Sequence, residues 1–325
     1  MRKTIVAALI LQIVLIGAAL AGAPTSDLLR FVPATAEVVM GIDCAALRGH
    51  PLIQDWLIEH QASWSGADDD LARFLADAGL DPLRDVDQVV VGVVPGRPRG
   101  QGLAVFAGHF DTAALAAAMQ KRGGSVATIG TTVGYAFSSP PRAEILVALV
   151  SPTLVIAGDE ATVRGTLAPN ADHSQLADRE TGAGRVDLGS DFWLVAVVPE
   201  EMRRHAAAVA NDVSRGANEV RGLVLASGAI QRVTMQACLG TSLFLRGVAV
   251  ADTGDNAELI RDAVKGALAA MRLEVGASSK ELVDVLRDVD VTQRSTEVTV
   301  NAEVPVRLIE TLLRERHTCS AGHTR

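Results

Sequence analysis

The chain reads as an α+β protein of two similar tandem halves, each an antiparallel sheet with helices packed on one face. Three observations predict this. Within residues 231–240, Val233, Met235, Ala237 and Leu239 share one face, while Arg232, Thr234, Gln236 and Cys238 share the other. Such alternation marks an antiparallel strand with one wet face. Leu239-Gly240-Thr241-Ser242 then turns the chain, and residues 243–251 pair back. A helix follows, with Ile260, Val264, Ala267, Leu268 and Met271 as its apolar stripe. The same order of elements recurs about 144 residues earlier, which is the mark of an internal duplication.

Residues 1–21 have the form of a secretory signal peptide. Arg2 and Lys3 precede an apolar run from Ile5 to Leu20, broken only by Gln12, and Ala19 and Ala21 supply the small residues of a cleavage site. Pro24 disfavours a cut beside it, which places cleavage after Ala21. Left uncleaved, Thr4–Ala23 is long enough to anchor the chain in a bilayer.

Residues 24–167 make the first half. Asp27–Val32 leads in and stops at Pro33, and Ala36–Cys44 is a strand. Residues 51–60 are helical, with Leu52, Ile53, Trp56 and Leu57 inward. Asp68–Ala78 is a second helix with three acids at its positive end, closed by Gly79. Asp81–Asp87 turns into strand Gln88–Val94, and a Gly/Pro-rich loop, residues 95–102, carries Arg97 and Arg99. Strand Leu103–Phe110 returns, and Asp111 caps helix Thr112–Arg122, which Gly123-Gly124 stops. Strands over 125–128, 133–137, 145–150 and 153–157 and a short helix, Asp159–Leu167, complete the half.

Residues 168–185 lack periodicity and read as a linker. The second half spans 186–316: strand Asp191–Val198, a helix over 200–209 opened by Pro199, and a strand over 220–230. The hairpin and helix described above follow, with Asp255 as helix cap and Glu258 three residues on. A helix over 280–286, strands over 289–292 and 297–301, and a helix over 304–314 close it. Residues 317–325 are a flexible tail.

Three segments carry the repeat. Asp111, Leu115 and Lys121 fall on Asp255, Leu259 and Lys265 at an offset of 144, while Gln88 and Val90 fall on Gln231 and Val233 at 143. Val155, Val163 and Arg164 fall on Val298, Val306 and Arg307, again at 143. The stretches Phe31-Val-Pro-Ala-Thr-Ala-Glu-Val-Val-Met-Gly-Ile-Asp43, Leu80-Asp-Pro-Leu-Arg-Asp-Val-Asp-Gln-Val-Val-Val-Gly92 and Thr153-Leu-Val-Ile-Ala-Gly158 resemble secreted bacterial proteins of the domain-of-unknown-function type. That resemblance implies an extracytoplasmic α+β protein and brings no catalytic residues with it.

The composition narrows the function. The chain of 325 residues is 49% apolar and 21% charged, which suits a globular protein. A net charge of −8 and an aromatic share of 3% argue against nucleic acid as a partner, since phosphate contacts need basic patches and base stacking needs rings. No G-x-S-x-G, phosphate loop, H-E-x-x-H or C-x-x-C occurs. The cysteine count is odd, and no essential disulfide is expected.

Four residues stand as ligand-contact candidates: Arg97 and Arg99 on a loop, and His109 and Asp111 at a strand–helix junction. For Asp111 the competing reading is an N-cap. Asp81, Asp85 and Asp87, echoed by Asp284, Asp288 and Asp290, lack the glycine and distal glutamate of a calcium loop. His317, Cys319 and His323 lack a fourth metal ligand. The expectation is therefore a secreted or periplasmic, non-enzymatic binding protein with no cofactor, no metal and no catalytic residues. Its partner would be an envelope protein or a small ligand. The alternatives are a hydrolase with its site between the halves, and an envelope protein held to the membrane by an uncleaved leader.

Overall fold

The computed structural model describes residues 25–54, 70–94, 101–137, 144–174, 186–201, 203–204, 228–275 and 279–312. The leader, Arg97 and Arg99, residues 55–60 of the expected helix, residues 220–227 of an expected strand and the tail lie outside them. The chain forms two compact units. The first comprises residues 1–179 and 187–193, the second residues 180–186 and 194–325. The boundary departs from expectation, because residues 187–193 belong to the first unit.

In the first unit, α1 (Thr25–Leu29) leads to β1 (Val38–Asp43) and α2 (Cys44–Arg48). Helices α3 (Asp70–Asp77) and α4 (Pro82–Asp85) precede the hairpin of β2 (Val86–Val94) and β3 (Gln101–Gly108). Helix α5 (Thr112–Lys121) crosses to β4 (Ser125–Ile129), β5 (Thr132–Phe137), β6 (Ile145–Ser151) and β7 (Leu154–Asp159), and α6 (Glu160–Thr166) ends the run. The strands lie in the order β1-β2-β3-β7-β6-β5-β4, and each of these pairings is antiparallel. One rung crosses Gly41, Val90, Val105, Ile156, Ala148 and Gly134, and its valines, isoleucine and Ala148 are wholly buried.

Alternation along each strand decides what covers which face. Helix α5 buries Leu115, Ala118 and Met119, and Gln120 reaches Tyr135 Oη at 3.4 Å. The face carrying Gly41 is sealed differently. A Cβ at Gly41 would lie 2.3 Å from Trp193 Nε1, so the buried indole occupies the space that only glycine leaves. Asp43 N donates to Asp191 O at 2.8 Å beside it. The expected linker is also partly docked: Ala34 N donates to Asp172 O and Ser174 N to Val32 O, at 3.2 and 2.7 Å. Those bonds are made by backbone, which leaves no apolar pattern to read.

The second unit takes the latter part of β8 (Phe192–Val197), then β9 (Ile230–Leu239), β10 (Ser242–Ala251), α7 (Gly254–Val275), α8 (Lys280–Asp288), β11 (Asp290–Arg294), β12 (Glu297–Pro305) and a helix over 306–312, α9. Its order is β8-β9-β10-β12-β11. This matches β1-β2-β3-β7-β6, with β4 and β5 extra in the first unit. The register agrees too: Phe106 faces Val155, and the residues 143 further on, Ala249 and Val298, also face each other.

Helix α7 sits on Ala251, Val291 and Val298 through Ala257 and Ile260. Two expectations for it need correction. Thr253 is the cap, its Oγ1 accepting from Asn256 N at 3.2 Å and its carbonyl from Ala257 N, while Asp255 already lies inside the helix. Leu259, aligned with the buried Leu115, is 56% exposed. One residue along a helix is about 100° of rotation, so an offset of 144 turns the wrong side inward.

Candidate functional site

The best-formed cleft of the first unit begins at a register slip. The pairing of β2 with β3 shifts between Val86 and Gln88, which is how a bulge re-aims a side chain. Asp87, at the slip, is buried to 3% exposure. A buried carboxylate needs partners, and Asp87 has one for each oxygen. Arg48 reaches Oδ1 at 3.3 Å through Nη2, and the same guanidinium donates to the Val86 carbonyl. His109 Nδ1 lies 3.4 Å from Oδ2, an electrostatic contact rather than a short hydrogen bond.

His109 is held by its backbone, whose N–H donates to Asp85 O at 2.7 Å. Gly108 makes that approach possible, since a Cβ there would lie 2.0 Å from the same carbonyl oxygen. The imidazole is 75% exposed, and the contact of Nδ1 with Asp87 leaves Nε2 turned away from it. The β6–β7 turn supplies Ser151 and Thr153, whose hydroxyls lie 3.1 Å apart. Pro152 and Thr153 carbonyls accept from Phe110 N and Gly108 N at 2.7 and 3.1 Å, which ties this turn to the end of β3. From α1 come Leu28, facing inward, and Asp27, and just beyond it Arg30 and Phe31. The Arg30 guanidinium rests 4.9 Å from the Phe31 ring centroid, a cation–π distance.

These groups enclose about 340 Å³, with Leu28, Phe31, Ala107 and Leu154 as apolar lining and Asp27, Arg30, Asp87, His109, Ser151 and Thr153 as polar groups. Of the four sequence candidates, His109 is in the cleft. Asp111 is not: its Oδ1 accepts from Ala113 N and Ala114 N at 3.0 and 2.9 Å and caps α5. Sequence reasoning missed Arg30, Ser151 and Thr153, and met Asp87 only as part of an acidic turn. Its one legible sign is an acid directly after Val86, at the head of a valine-rich strand.

The hydroxyls bond to each other and to Thr153 N, and neither bonds to His109, so these groups assemble no nucleophile–base pair in the cleft. Cys44 does not supply one. Burial pushes its thiol up to about 12, against the opposing pull of Arg48, and an un-ionised thiol is inert. No group of three or more His, Cys, Asp or Glu side chains converges among the described residues. The second unit has a shallower cleft of about 290 Å³ beside Cys238, Phe244 and Arg246. Neither Cys44 nor Cys238 is disulfide-bonded.

No protein-family model matches the chain, and no curated protein does. Crystal form III of TP0453 is similar over 85% of this chain and 93% of its own, at 10% identity and a TM-score of 0.49. Form I of TP0453 is similar over 91% and 98%, at 9% identity and a TM-score of 0.45. Likeness at that level assigns no function.

Proposed function

We propose that the protein is an extracytoplasmic binding module that captures a small ligand in the cleft of its first unit. One observation carries the reading: apolar lining and convergent polar groups meet in a single concavity, the usual make-up of a small-molecule site. The hydroxyls tied to each other, rather than to the imidazole, favour recognition over hydrolysis. The extracytoplasmic part rests on the signal-peptide pattern of residues 1–21. Among the described residues no helix is long and apolar enough to cross a membrane. The matched strand order and register support an origin of the two units by duplication.

The test is a fragment screen read by amide shifts in a nitrogen-15 spectrum. Binders should move Phe31, Ala107, His109 and Thr153 together. Shifts confined to the second unit, or none at all, would sink the reading. An intact Met1 in protein recovered from the cell envelope would count against cleavage of the leader.

A further inference from the structure

We infer that the ligand is a small monocarboxylate with an apolar body; this rests on the cleft being a binding site, as proposed above. Asp87 is the buried acid there, and both of its oxygens are already engaged, by Arg48 and His109. Its charge is already offset by Arg48, and at 3% exposure it offers little surface to a cationic ligand. Of the groups that remain facing the space, Arg30 is the one that carries donors alone. Arg30 has no carboxylate partner among the described residues, and its contact there is the Phe31 ring at 4.9 Å. Its planar fork of N–H groups matches a carboxylate in two parallel bonds.

The Ser151 and Thr153 hydroxyls bond to each other, which leaves one of their two protons for a ligand, and His109 lines the same rim. Leu28, Ala107 and Leu154, each no more than 9% exposed, give the body of the ligand an apolar bed, with the Phe31 ring beside it. Two features limit the anion. Asp27 faces the same space and repels added negative charge, which favours one charge over the several of a nucleotide or polyphosphate. A volume of about 340 Å³ falls at the small end of ligand pockets, so the apolar part is short.

The experiment titrates the full secreted chain with octanoate, octan-1-ol, octylammonium and inorganic phosphate, reading cleft amides by nitrogen-15 spectra and heats by calorimetry. Octanoate should bind tightest, with shifts at Phe31, Ala107 and His109. Arg30→Ala should weaken octanoate about tenfold or more, because charge-assisted pairs are the strong ones. Arg30→Lys should recover only part of this, and binding of octan-1-ol should not respond to either change. Arg30 is exposed, so both variants should keep the parent melting temperature.

Octan-1-ol or octylammonium binding as tightly as octanoate would overturn the carboxylate assignment while leaving the cleft as a binding site. Inorganic phosphate matching octanoate would overturn the apolar half of it. An Arg30→Ala variant that binds octanoate unchanged would overturn the role given to Arg30. If octanoate leaves the cleft amides still while screened fragments move them, the carboxylate assignment fails alone; if neither moves them, both readings fail.

Discussion

The rotation of α7 can be tested with two adjacent residues. Ile260 is 4% exposed and belongs to the cluster of Ala251, Ala257, Val291 and Val298. Ile260→Ala removes three buried carbons, a transfer loss of about 2.4 kcal/mol at ~0.8 kcal/mol each. A partly relaxed cavity adds to that, so about 3 kcal/mol is expected, inside the roughly 2–5 kcal/mol range for such truncations. Leu259 is 56% exposed, and alanine is the better helix former, so Leu259→Ala should stay within about 0.5 kcal/mol. Urea unfolding followed by far-ultraviolet circular dichroism gives both values, with unchanged slopes showing that the transition itself is the same. Equal losses at the two sites, or the larger loss at Leu259, would refute the packing of α7 and restore the 144-residue alignment of Leu115 with Leu259.

Other expectations follow from particular contacts. Iodoacetamide at pH 8 should label Cys238 rapidly and spare Cys44 until the protein is unfolded, as read by peptide mass mapping, because burial raises Cys44 to about 12. Asp111→Ala should cost about 1 kcal/mol of stability, the usual worth of an N-cap, and leave ligand binding unchanged. Gly41→Ala should destabilise by roughly 1–3 kcal/mol or more, since its Cβ would overlap the buried Trp193 indole, and indole fluorescence should shift with it. Arg84, bonded at 2.7 Å, holds the Asp85 carboxyl below its ordinary 3.8. A lowered value in the folded state means its stabilisation is present above 3.8 and fades as pH falls further. Acid melting curves of the parent and Asp85→Asn should therefore converge at low pH.

Most strands were legible because alternation and Gly or Pro turns are local signals: the expected strand 133–137 forms as Thr132–Phe137, and 145–150 as Ile145–Ser151. Helix α7 was legible as a helix and in its apolar stripe of Ile260, Val264 and Leu268, whereas the 144-residue alignment pointed to Leu259 instead. Leu259 and Ile260 are neighbours, only one can face the sheet, and the choice depends on packing that a repeat offset cannot supply. The site was legible in one residue. His109 stands out by type, whereas its partner Asp87 is aimed by a slip in strand register, which leaves no mark in composition. Arg30 and Thr153 enter the cleft from distant segments of chain, joined by turns whose bonds are made by backbone.

Trp193 closes the first unit from beyond residues 180–186, which already belong to the second. A ribosome releases the chain from its N-terminus, so the sheet face at Gly41 must wait, uncovered, until the segment around Trp193 has emerged. Units usually fold in the order they are made; here the first cannot finish before the second has begun to appear. Stretches of exposed valine at that stage are what chaperones would meet. A gene cut at residue 179 would express the first unit without its seal, and supplying residues 187–193 as a separate peptide should restore it.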